Sequence, residues 1–216
     1  MSEAVWQSVD AYFEDRLVGE DSALSLAISD SAEAGLPAFA VSAVQGKMLH
    51  LMALSIGAGR ILEVGTLGGY SAIWLARALP VNGRLVSLEI DPRNAEVATR
   101  NVARAGLAEK VEIIVGPALQ SLPRLSGPFD FSFIDADKDN NAAYFDHAVR
   151  LSRPGAIIIV DNVVRDGSVI EPHGNAQVQG VRRMMEAIHA DPRVTATAVQ
   201  TVGAKGYDGF LMAVVR

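Results

Sequence analysis

Ile61-Leu62-Glu63-Val64-Gly65-Thr66-Leu67-Gly68-Gly69-Tyr70-Ser71 joins a short apolar run to a glycine-rich turn, and the turn leads into a stretch of helical spacing. A strand that feeds a glycine loop and then a helix opens a doubly wound α/β fold, with a ligand crevice at the strand's carboxyl end. Outward from this unit, apolar runs recur at Arg84–Glu89, Val111–Val115, Phe129–Ile134 and 156–160. Helical stretches at 70–79, 93–105, 117–124 and 139–151 lie between them. Near-continuous apolar runs alternating with helices predict a mostly parallel sheet covered on both faces. The helix after Glu89 has a clear start, with Asp91 as N-cap and Pro92 in its first turn. A helix at about 176–190 is followed by runs at 194–199 and 207–215, joined by a short glycine-containing link. These two read as antiparallel neighbours at one sheet edge.

Upstream, three helices are expected over 3–17, 21–34 and 43–56. The first places Val5, Val9, Tyr12, Phe13 and Leu17 at helical spacing. With 216 residues, half of them hydrophobic, the chain is long enough for one α/β domain with a substantial core. A net charge of −6 disfavours a nucleic-acid partner, which rewards basic patches. The absence of cysteine excludes disulfides, iron–sulfur ligation and thiolate metal sites. No apolar run approaches the roughly 20 residues needed to cross a bilayer, and the acidic N-terminal segment does not read as a signal peptide. The expectation is a soluble cytoplasmic protein with no membrane partner.

The glycine loop lacks the G-x-G-x-x-G spacing of a dinucleotide fingerprint, because Leu67 stands two residues after Gly65. That counts against an NAD-dependent dehydrogenase. Glu63, two residues before the first glycine, disfavours a pyrophosphate and suits a cationic ligand free of phosphate. S-adenosylmethionine, with its sulfonium and ammonium, has that chemistry. Glu89 ends the second strand, where an acid can accept hydrogen bonds from ribose hydroxyls.

The fourth and fifth runs each end in an acid, Asp135 and Asp161, and Asn162 follows the second. Neighbouring strands lie roughly 4.8 Å apart, so the two carboxylates meet at the ligand edge if these strands pair. Like charges that close repel, and a hard cation resolves the conflict. Two carboxylates and an amide oxygen form an all-oxygen set suited to Mg²⁺, Ca²⁺ or Mn²⁺. Lys138, three residues past Asp135, is placed to act as base for a hydroxyl acidified by such a metal. Asp137 and Asp139 read as surface residues, with Asp139 a candidate cap for the next helix.

The stretches ILEVGTLGGYSAIWLARALP, GRLVSLEID, FDFSFIDADKDN and GAIIIVDNVV together resemble the metal-dependent O-methyltransferases typified by the caffeoyl-CoA and catechol enzymes, over about residues 35 to 216. The resemblance implies one methyltransferase domain over 1–216, with N-terminal helices at 1–57 and a Rossmann-like core at 58–216 whose last strand is antiparallel. It implies S-adenosylmethionine contacts at Val41, Glu63, Gly65, Thr66, Ser71, Glu89, Pro117, Ala118 and Asp135. It implies metal ligation by Asp135, Asp161 and Asn162, catalytic roles for Lys138 and Asp135, and a homodimer built in part on the N-terminal helices. The implied acceptor is a small aromatic hydroxyl compound, catechol-like or hydroxycinnamoyl-like. A catalytically silent, dimeric S-adenosylmethionine-binding module is the alternative. One departure stands out: no acid occurs in Gln200-Thr201-Val202-Gly203, where the catechol enzymes bind the second hydroxyl, while the nearby Asp208-Gly209 is similar to the caffeoyl-CoA branch. The loop 166–180, with His173, Asn175 and Gln177, is expected to line the acceptor pocket.

Overall fold

The structure is a computed structural model, and it describes residues 2–216. Its centre is a seven-stranded sheet of order β3-β2-β1-β4-β5-β7-β6. The strands are β1 (Arg60–Val64), β2 (Arg84–Glu89), β3 (Val111–Val115), β4 (Phe129–Ile134), β5 (Ser152–Asp161), β6 (Val194–Gly203) and β7 (Gly206–Val215). The first five pair in parallel, while β7 runs antiparallel to both β5 and β6. The alternation of the sequence is thus realised, and the tail forms the expected antiparallel edge.

Side-chain alternation splits the core into two layers. Leu62, Val64, Ile134, Ile158 and Val160 pack on one face, beneath α6 (Ala118–Ser121), α7 (Asn141–Leu151) and α8 (Ala176–His189). Ile61, Phe131, Phe133, Ile157 and Ile159 pack on the other. Over that face lie α2 (Ser22–Glu33), α3 (Ala43–Ser55), α4 (Tyr70–Ala78) and α5 (Pro92–Arg104). Phe129, Phe131 and Phe133 are all fully buried. Truncating one of them to alanine is worth about 3–5 kcal/mol of stability.

The first helix is shorter than its sequence period suggests. Regular α1 runs Glu3–Phe13, and a π-helical turn, Glu14–Val18, completes the segment. Its apolar residues Val5, Val9, Tyr12, Phe13 and Leu17 are all exposed. Periodicity identifies the helix, but its apolar side stays exposed rather than entering the core.

The order of strands places the site. After β3 the chain returns to the far side of β1, so the direction of winding reverses between β1 and β4. Such a switch point opens a crevice at the strands' carboxyl ends. Register aligns Val64 with Ile134 and Ile134 with Val160. The next residues along the chain, Gly65, Asp135 and Asp161, therefore lie side by side at the strands' carboxyl ends.

Candidate functional site

Gly65 has a φ of +99° and packs against the end of β4 so tightly that a Cβ would sit 2.1 Å from the Asp135 carbonyl oxygen. Only glycine meets both demands. The contact, with the Asp135 N–H donating to Val64 O at 2.9 Å, fixes where Asp135 emerges. Gly180 of α8 makes a matching approach, where a Cβ would sit only 2.1 Å from the Lys138 carbonyl oxygen. It seats the 3-10 turn Lys138–Asn140 directly against α8.

From that turn the Lys138 ammonium reaches Asp135 Oδ1 at 2.8 Å, and the lysine is buried. Asp161 is also buried; its Oδ1 accepts the Asn162 N–H at 2.9 Å and its Oδ2 accepts Gln45 Nε2 at 2.7 Å. Burial, and next the charge of Asp135, push the Asp161 carboxyl up to about 7, against the opposing pull of Lys138, Asn162 and Gln45. One lysine offsets only one of two facing carboxylates. Asn162 sits in the left-handed region at φ 57°, which asparagine tolerates, and its side-chain amide has no protein hydrogen-bond partner among the described residues. No group of three His, Cys, Asp or Glu side chains forms a metal-binding cluster among the described residues. The donor set available here is two carboxylates and one amide.

At the other end of the crevice the carboxylate of Glu89 is fully engaged. Its Oε2 accepts the N–H groups of Thr66 at 3.1 Å and Leu67 at 2.8 Å, and its Oε1 accepts Asp91 N–H and Asn94 Nδ2. It thereby ties the glycine loop to β2. Glu63 lies under the loop, fully buried, with Ser71 and Ser87 hydroxyls donating to its two oxygens. Burial raises its carboxyl to about 7, with Ser71 and Ser87 opposing.

A cavity of about 1070 Å³ joins the two ends. Val41, Gly65, Thr66, Ser71, Glu89, Pro117, Ala118, Asp135, Lys138, Asp161 and Asn162 all line it. Glu63 does not; it stands behind Ser71, so its place in the structure is a support beneath the floor. Asp137, a surface residue by sequence, is exposed yet lines the cavity and accepts the Tyr144 hydroxyl at 2.6 Å. Asp139 does not cap α7, whose N-cap position is Asn140. In the loop 166–180, Gln177 lines the cavity, His173 does not, and Asn175 caps α8 by accepting the Val178 N–H. Sequence reasoning missed Gln45, Tyr144, Arg165 and Lys205, all of which line the cavity. Gln45 lies in no motif; only long-range packing of α3 brings it to Asp161.

The family model described as O-methyltransferase matches residues 19–213. A catechol O-methyltransferase of Mycobacterium tuberculosis is 53% identical over 96% of this chain and 95% of its own. One from Niastella koreensis is 50% identical over the whole of both. Among solved structures, the O-methyltransferase TomG of Streptomyces achromogenes, in complex with S-adenosylmethionine, superposes with a TM-score of 0.97 at 54% identity, covering 100% of this chain and 99% of that one. With relatives this close over their full length, the silent-module alternative gives way: the chain belongs to the O-methyltransferase family and is an S-adenosylmethionine-dependent O-methyltransferase.

Proposed function

We propose that the chain methylates one hydroxyl of a small aromatic vicinal diol, and that a divalent cation held by Asp135, Asp161 and Asn162 assists. The observation that carries this reading is the pairing of Asp135 and Asp161 at adjacent strand ends, in register, beside the glycine loop. Two neighbouring carboxylates, of which Asp161 is buried and only Asp135 is paired with the lysine, are a costly arrangement in the absence of further positive charge. The unpartnered Asn162 amide supplies a third oxygen, and a hard cation such as Mg²⁺ fits that chemistry. The names of the relatives, catechol O-methyltransferases, support the diol.

When bound, the cation would orient the diol and lower the pKa of one hydroxyl. S-adenosylmethionine, as co-substrate, supplies the methyl group. Lys138, its Nζ held by Asp135 at the cavity wall, is the base of this reading: in its neutral form it takes the hydroxyl proton. Gln45 fixes the rotation of the Asp161 carboxylate. Val41, Ser71 and Glu89 position the co-substrate from the other end, in line with the acceptor oxygen. The exposed apolar side of α1 suits a second copy of the chain, and the reading includes a homodimer. Assaying simple catechols with S-adenosylmethionine, with Mg²⁺ and then with chelator, tests the proposal. Monomethylated product that disappears in chelator is expected; equal turnover in chelator would overturn the metal part.

A further inference from the structure

Three cationic side chains line the cavity, and only Lys138 is paired with an acid. Arg165 and Lys205 have no carboxylate within ion-pair distance among the described residues. The guanidinium of Arg165 donates to the neutral Gln177 Oε1 at 2.6 Å, and Lys205 Nζ donates to the Ala38 carbonyl at 3.0 Å. In a chain of net charge −6, two cations facing one cavity without acidic partners are conspicuous.

Arg165 is also held firmly in place. It lies just beyond Asn162, with a φ of 57°, and Asp166 after it has a φ of 53°. Left-handed backbone at two consecutive residues other than glycine is strained and needs a compensating hold. Asp208 supplies one: its Oδ1 accepts the N–H groups of Val164, Arg165 and Gly209, each at 2.9 or 3.0 Å. Asp208 thus meets the Arg165 backbone and not its guanidinium, and the side chain lies at the cavity wall beside Gln177.

Resting on the aromatic-diol reading, we propose that the acceptor carries a carboxylate on its ring or side chain, bound by Arg165 with help from Lys205. A guanidinium fork matches a carboxylate in two parallel hydrogen bonds. Two cations suit a single such charge, whereas a nucleotide tail with several phosphate charges would call for more. Asp208 acts as a positioning residue for Arg165.

The test compares kcat/KM for 3,4-dihydroxybenzoate, catechol and 3,4-dihydroxybenzylamine, with S-adenosylmethionine and Mg²⁺ saturating. The carboxylate is expected to be the best acceptor and the amine the worst, with the gap narrowing at high salt. Arg165→Gln should lower kcat/KM for the benzoate about tenfold more than for catechol, mainly through KM. Arg165→Lys should recover part of the loss, and Lys205→Gln, on an exposed turn, should give a smaller loss in the same direction. Benzoate itself, which lacks the diol, is titrated by calorimetry into the protein with S-adenosylhomocysteine. Weaker binding in Arg165→Gln supports the anion site even if no diol is methylated, which would sink only the diol reading. Equal use of catechol and dihydroxybenzoate, with Arg165→Gln lowering both alike, overturns the anion site and leaves the diol reading in place.

Discussion

The two ends of the cavity are built on opposite principles. At the glycine-loop end the protein satisfies its own polar groups. Glu89 accepts four N–H donors and Glu63 accepts two hydroxyls. At the β4–β5 end the groups are left in tension. Among the described residues, the one lysine near the two carboxylates pairs with Asp135 and not with Asp161, the Asn162 side-chain amide lacks a protein partner, and Arg165 lacks an acid. The first end is preorganised, a shaped surface whose donors and acceptors already point where they are needed. The second is incomplete, and its surplus charges are what a cation and an anionic acceptor would settle.

The largest effect is expected where the tension is greatest. Asp161→Ala should abolish metal-stimulated turnover, read as methylated product with and without Mg²⁺, while leaving S-adenosylmethionine affinity within a few-fold. At the satisfied end the order is reversed. Glu89→Ala strands the Thr66 and Leu67 N–H groups, so about 3 kcal/mol of stability should be lost in chemical denaturation, along with much of the S-adenosylmethionine affinity by calorimetry. Gln45→Ala removes the side chain that donates to Asp161, and Mn²⁺ affinity followed by electron paramagnetic resonance should fall about 10- to 100-fold. The last effect falls on stability rather than on turnover and belongs to Glu63. Its folded carboxyl is raised from 4.5 to about 7, so the folded state holds its proton longer than the unfolded chain does. Its contribution is therefore most favourable below about 4.5 and is lost as pH rises toward 7. The loss is at most about 3 kcal/mol, and Glu63→Gln should flatten that part of the stability–pH curve. An unchanged slope in the variant would contradict the assignment.

Most of the frame is legible in the chain before it folds. The strand runs, the Gly65 turn and the acids at Asp135 and Asp161 sit in local patterns, and pairing of β4 with β5 follows from ordinary α/β winding. What escapes such reading is long-range or rotational. Gln45 and Asp161 are 116 residues apart in sequence, and no spacing rule joins them. Strand position marks Glu63 as a cofactor contact at the sheet's edge, yet alternation turns it inward under Ser71. Asp208 reads as a branch marker, but its oxygen holds the backbone of a loop more than forty residues earlier. The apolar stripe of α1 is visible as a period, while its exposure depends on what else the chain has left to cover it.

The central claim is that two strand tips hold one cation beside the co-substrate. The direct measurement is anomalous diffraction from crystals grown with Mn²⁺ and S-adenosylhomocysteine. A single peak within bonding distance of Asp135, Asp161 and Asn162 is the predicted result. Density for S-adenosylhomocysteine with no anomalous peak at those three residues, at saturating Mn²⁺, would contradict it.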